Sequence, residues 1–210
     1  MKSTRELFEA WGKDEHADGM ASHHWRTVKQ AFDLIPDSDG NYLEIGVGNG
    51  YGIEHMARHQ FARGKCLGLD VAESMVNRSC EKTRDLDNVS IHQGDFLSWD
   101  FTPNDLFSLI FSMEVFYYFP DIQQGLDKAF SLLVPDGQLW VLVNFYQENP
   151  QSHDWPEQLD TPMTMWSSKN YVEGFEKAGF TGIQQRFFQD PVNDKDNDGP
   201  TLATFGVKPV

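Results

Sequence analysis

Short apolar runs of strand length alternate with helical patterns along most of this chain, and that alternation most constrains its fold. Strand-like runs fall near 42–47, 65–70, 88–93, 106–112, 137–145, 181–189 and 201–208. Helical patterns fit 22–35, 51–62, 72–84, 121–133 and 168–178. Ser22, Asp121 and Ser167 or Ser168 are placed to cap the first, fourth and last of these. Such an order implies an α/β fold, a parallel sheet with helices on both faces. The end of the chain departs from it. The runs 181-TGIQQRFFQD-190 and 201-TLATFGVK-208 are joined by a polar loop with no room for a helix, which predicts an antiparallel hairpin and one reversed strand. With no internal repeat or linker, residues 1–210 read as a single domain with an N-terminal helical cap over 1–35. The segment 146–167 lacks regular pattern, and a loop of that length in a compact domain is functional or mobile.

In open α/β sheets, ligands bind at the carboxyl ends of the strands where strand order reverses. The stretch 43-LEIGVGNGYG-52 belongs there if 42–47 is the first strand. Gly46, Gly48, Gly50 and Gly52 stand at every second position, which suggests a loop bent around a ligand. The second strand, 65-KCLGLD-70, ends on Asp70, whose carboxylate can accept from both vicinal hydroxyls of a ribose. A dinucleotide fingerprint G-x-G-x-x-G counted from Gly46 would need glycine at position 51, which is Tyr51. The third strand runs into 93-QGDF-96, where Asp95 can accept from an exocyclic amine with Phe96 against the ring.

In order, LEIGVGNG, GLDVAESMV, QGDF, 107-FSLIFSMEVFYYFPD-121, 132-LLVPDGQLWVL-142 and 166-WSSKNYVEGFEKAGF-180 resemble the class I S-adenosylmethionine-dependent methyltransferases. The resemblance covers nearly the whole chain past residue 22. It implies a Rossmann-like, doubly wound seven-stranded sheet with the last strand antiparallel. It also implies S-adenosyl-L-methionine as cofactor. Glu44 and the backbone of Gly46, Gly48 and Gly50 would face its methionine part, Asp70 its ribose, Asp95 and Phe96 its adenine, and Met113 would line the pocket. The form SMEVFYYFPD looks like the small-molecule members, and no N-P-P-[YF], D-P-P-[YW] or Pro-Cys run is present. A non-catalytic S-adenosylmethionine-binding protein, or an enzyme acting on a protein, are the alternatives.

Methyl transfer from a sulfonium needs positioning above all, and a base only if the acceptor must lose a proton. Tyr117, Tyr118, His23, His24 and His153 are candidates for that base, none singled out, so the catalytic residue stays unassigned. The acceptor should meet the methyl from the open side, covered by Trp11 to Trp25, 116-FYYF-119 and the loop carrying Trp155 and Trp166. Tyr117, Tyr118 and Trp166 are the expected substrate contacts, their rings suiting a flat or apolar acceptor.

The formal net charge of −15 disfavours nucleic acid and anionic membranes as partners. The charged N-terminus and the lack of a membrane-length apolar run point to the cytoplasm. Cys66 and Cys80 read as buried small hydrophobes rather than a disulfide. His55 and His59 stand four apart on a helix but lack a third ligand, so no metal is expected. Asp194, Asp196, Asp198 and Gly199 copy the start of a calcium loop. Phe205 stands where that loop needs Glu, so a solvated hairpin tip is the better reading.

Overall fold

The computed structural model describes residues 1–13, 16–189 and 199–210, of which 16–18 and 20–23 by backbone alone. Seven strands form one sheet: β1 (Tyr42–Ile45), β2 (Cys66–Asp70), β3 (Val89–Gln93), β4 (Phe107–Met113), β5 (Leu133–Val143), β6 (Thr181–Phe188) and β7 (Thr201–Val207). Their spatial order is β3-β2-β1-β4-β5-β7-β6. All pairings are parallel except those of β7, which runs antiparallel to β5 on one side and to β6 on the other. The reversed strand expected from the terminal hairpin is therefore β7, inserted between β5 and β6.

Helices α1 (Thr4–Trp11), α2 (His16–Phe32), α3 (Tyr51–Arg58), α4 (Glu73–Thr83), α5 (Ile122–Leu132), α6 (Trp155–Gln158) and α7 (Ser168–Ala178) complete the chain. Both faces of the central strands are buried, as a sheet sandwiched between helices requires. Along β5, Leu139, Val141 and Val143 face the layer holding Leu126 of α5 and Phe175 of α7. Trp140 and Leu142 face the opposite layer with Phe32 of α2 and Met56 of α3. Those side chains supply the apolar burial, at about 25 cal/mol per Å², that holds the layers together.

Local chemistry fixes several ends. Asp121 caps α5, its Oδ1 accepting from the backbone of Gln123 at 2.9 Å. Ser167, rather than Ser168, caps α7 in a reciprocal box with Asn170. Ser22 lies inside α2, which begins at His16, and not at its N-terminal boundary. The N-terminal cap holds a second helix, α1, started by a Ser3–Glu6 capping box. β5 begins four residues earlier than 137, passing through an Asp136 with φ of 63° and a register shift against β4. Residues 146–167 contain a 3-10 turn, Pro150–Ser152, and the short α6. Cys66 is buried as expected, but Cys80 is exposed, because it falls on the outer side of α4. The acidic run Asp194, Asp196 and Asp198 lies outside the described residues. Among the described residues no helix is long and apolar enough to cross a membrane.

Candidate active site

The chain lays down β1, β2 and β3 outward in one direction, then places β4 on the other side of β1. Connections therefore diverge above the carboxyl ends of β1 and β4 and leave a crevice there. A cavity of 660 Å³ occupies it. Glu44, Gly46, Gly48, Asp70, Asp95, Phe96, Met113, Tyr117 and Tyr118, all expected from the sequence, line this one space. Gly50 and Trp166 do not. Gly50 is the left-handed N-cap of α3 (φ 84°), and the Trp166 indole packs against Tyr171 and Gly174 of α7.

The glycine loop is shaped first by the protein's own packing. Gly46 has φ of 73°, and a Cβ on it would come within 2.2 Å of Val115. A Cβ on Gly50 would lie 2.9 Å from the Cα of Ser79 on α4, and one on Gly52 2.5 Å from the Glu44 carboxylate. Bare backbone thus lets α4, Val115 and Glu44 close in, and only Gly46 and Gly48 remain on the cavity wall.

Asp70, at the end of β2, ties that loop to the next turn. Its Oδ2 accepts from the N–H of Gly48 at 2.9 Å and its Oδ1 from the N–H of Ala72 at 3.0 Å. It is only 8% exposed, and burial outweighs those bonds, pushing its pKa up to about 6. Glu44 is 5% exposed and accepts from the Tyr42 hydroxyl at 2.8 Å. Burial pushes it up to about 8, against the lowering effect of Tyr42. Asp95 is exposed at the rim, with Oδ1 accepting from the N–H of Leu97 at 2.9 Å. Among the described residues the lining contains four carboxylates (Glu44, Asp70, Asp95, Glu114) and no lysine or arginine.

The mouth is roofed by α1 and α6. Phe8 and Trp11 of α1 pack edge to face at 5.3 Å, and Phe8 meets Tyr118 at the same distance. Ser74 of α4 donates from its N–H to Glu9 at 3.1 Å, and Arg78 donates to the Gly12 carbonyl at 2.6 Å, holding α1 down. Trp155 and Leu159 close the other side. Trp11 and Trp155 belong to segments expected to cover the open side, whereas Phe8 and Glu114 were not predicted as site residues. The helical pattern of α1 is short, and nothing local tells which strand ends a helix before β1 will cover.

Of the candidate bases, Tyr117 and Tyr118 reach the cavity but burial holds both phenols well above their ordinary range, so they stay neutral donors. His24 lines the cavity. His153 is exposed outside it, its Nε2 at 3.0 Å from the Gln147 carbonyl. The side chain of His23 is outside the described residues. His55 stacks on Phe32 and lies 4.5 Å from His59 between ring centroids. Among the described residues no group of three metal-ligating side chains gathers.

A comparison with protein families matches residues 16–185 to the methyltransferase domain. The chain belongs to the S-adenosylmethionine-dependent methyltransferases. Solved structures agree with the methyltransferase fold. A Haloferax volcanii chain, solved in complex with the Trm112 methyltransferase activator, is 29% identical, with a TM-score of 0.88 over 100% of both chains. The N-methyltransferase NodS from Bradyrhizobium japonicum WM9, solved with S-adenosylhomocysteine, is 20% identical, with a TM-score of 0.75 over 100% of both. Phosphoethanolamine N-methyltransferase 2 of Haemonchus contortus, solved with S-adenosylmethionine, is 16% identical, with a TM-score of 0.74 over 100% of this chain and 61% of that one. Curated proteins give no significant match.

Proposed function

We propose that this single-domain methyltransferase moves a methyl group to a small-molecule acceptor held in the cavity above β1 and β4. The observation that carries the reading is the composition of that cavity. Glu44 and Asp70 are buried carboxylates facing a space without lysine or arginine among its described lining. Buried carboxylates of this kind fit a ligand that brings its own cation and hydroxyl donors. Glu44 would hold the ammonium of the methionine tail, with the backbone of Gly46 and Gly48 beside it. Asp70 would accept from the ribose hydroxyls, and Asp95, Phe96 and Leu97 would receive the adenine. Met113 would flank the reacting end. When bound, S-adenosylmethionine supplies an electrophilic methyl group on a positive sulfonium.

The chain's own contribution is positioning. Rigid strand ends fix one reactant, and the aromatic roof of Phe8, Trp11, Tyr118 and Trp155 shapes the space for the other and excludes water. The charge of −15 repels polyanions. The test is binding followed by turnover. S-adenosylhomocysteine should raise the melting temperature and NAD should not. Methylated product should then appear from a panel of small acceptors. A shift with NAD and none with S-adenosylhomocysteine would sink the reading.

A second reading adds a protein partner. The Haloferax volcanii chain was solved with an activator protein. By that likeness, this chain would gain activity when an activator of the same kind binds it. Co-expression with such a protein should then raise turnover at unchanged enzyme concentration, and equal turnover with and without it would remove this reading.

A further inference from the structure

The proposed function gives the cofactor's ammonium, ribose and adenine their partners and leaves its carboxylate without one. That anion is the group hardest to place, because the lining holds four carboxylates and, among the described residues, no lysine or arginine. The glycine loop does not supply the donors. The N–H groups of Gly46 and Val47 both go to the Leu69 carbonyl, at 2.8 and 3.0 Å, and that of Gly50 goes to the Val47 carbonyl at 3.0 Å. The N–H of Gly48 goes to Asp70 at 2.9 Å. A backbone N–H has one proton to give, so a carboxylate brought to this loop needs a side-chain donor.

Tyr51 stands where that donor is needed. It follows Gly50 directly, lines the cavity and opens α3, whose N-terminal end favours negative charge. The other lining hydroxyls lie farther along the chain's roof and walls. Tyr117 gives its proton to Glu114 at 2.8 Å, Tyr118 stands with Phe8 in the roof, and Thr4 is on α1. The Tyr51 ring is set edge to face against Trp25 of α2, with centroids 6.2 Å apart, and no hydrogen bond among the described residues takes its hydroxyl. Burial first, and then the fields of Glu44 and Glu114, hold this phenol well above its ordinary range. It is therefore a neutral donor. We propose that the Tyr51 hydroxyl donates a hydrogen bond to the carboxylate of the cofactor's methionine tail, while Glu44 holds the ammonium. One neutral donor and one acceptor then read the two ends of the zwitterion, which selects nucleosides that carry a complete amino acid. This rests on the methyltransferase reading of the same cavity.

The test compares S-adenosylhomocysteine with 5′-(3-aminopropylthio)-5′-deoxyadenosine, the same molecule without its carboxylate, by calorimetry. The wild-type protein should bind S-adenosylhomocysteine about tenfold or more tightly than the amine analogue. Tyr51→Phe keeps the ring against Trp25 and removes only the hydroxyl. It should weaken S-adenosylhomocysteine about tenfold and leave the amine analogue within about twofold, so that the gap between them narrows. A merely structural Tyr51 would weaken both ligands alike, or neither. Either result overturns the proposal. So does equal binding of the two nucleosides by the wild-type protein, a measurement that needs no variant to fold. Failure of both nucleosides to bind the wild-type protein is a different result, and it removes the underlying methyltransferase reading instead.

Discussion

Asp70→Asn separates two things that one carboxylate does, because it keeps the shape and removes the charge. In the folded chain the carboxyl titrates near 6 rather than its ordinary 3.8, through burial. A carboxyl whose folded pKa is raised contributes its stability below the unfolded value and loses it as pH rises through the folded one. Once ionised in both states, Asp70 therefore costs about 3 kcal/mol of folding free energy. Asparagine does not titrate. Its carbonyl can still accept from one of the two N–H groups, Gly48 or Ala72, while its amide faces the other at a cost of about 1 kcal/mol or more. At pH 8 the apo variant should be more stable than wild type by about 1–2 kcal/mol, or roughly 2–8 °C for a chain of this size. At pH 4.5 both side chains are neutral and the difference should shrink toward zero. Cofactor affinity should move the other way. Replacing charge-assisted bonds by one neutral bond should weaken S-adenosylhomocysteine about ten- to a hundred-fold. Thermal melts at the two pH values and calorimetry at pH 8 read both effects. A variant destabilised equally at both pH values, with an unchanged dissociation constant, would show Asp70 to be a strand end and nothing more.

Glu44 gives a pH signature. Its folded pKa of about 8 means that a ligand ammonium must displace a proton below that pH. Affinity for S-adenosylhomocysteine should fall by up to about tenfold per pH unit on going down from 8, and Glu44→Gln should flatten the slope. Gly50→Ala forces a side chain into φ of 84° against Ser79, and should lower stability by about 2–5 kcal/mol in urea unfolding. Trp166→Ala should cost about 1–3 kcal/mol by uncovering Tyr171, yet leave cofactor affinity unchanged in the same calorimetry. An affinity loss there would return Trp166 to the site.

The sequence by itself determined the layers and much of one wall of the cavity. Short continuous apolar runs on strands, period-3.6 patterns on helices and a Gly-rich turn are local patterns, each written within a dozen residues. Gly46, Gly48, Asp70, Asp95 and Met113 were legible because each sits at a fixed offset from a strand end, and parallel strands bring all their carboxyl ends to one edge. Aromatic residues carried no such offset. Tyr118 and Trp166 look alike in the chain, but one flanks the turn after β4 and meets Phe8, while the other is drawn onto α7 because Gly174 leaves room for its ring. Glu114 was passed over because its place in the cavity wall depends on a left-handed backbone and on contacts with residues 3 and 30 positions away. How α1 is seated over the cavity was decided only by tertiary structure, since it is held by Glu9–Ser74 and Gly12–Arg78 contacts spanning more than 60 residues. Contacts at that separation are set by how the packed elements meet in space, and a pattern confined to one element carries no record of them.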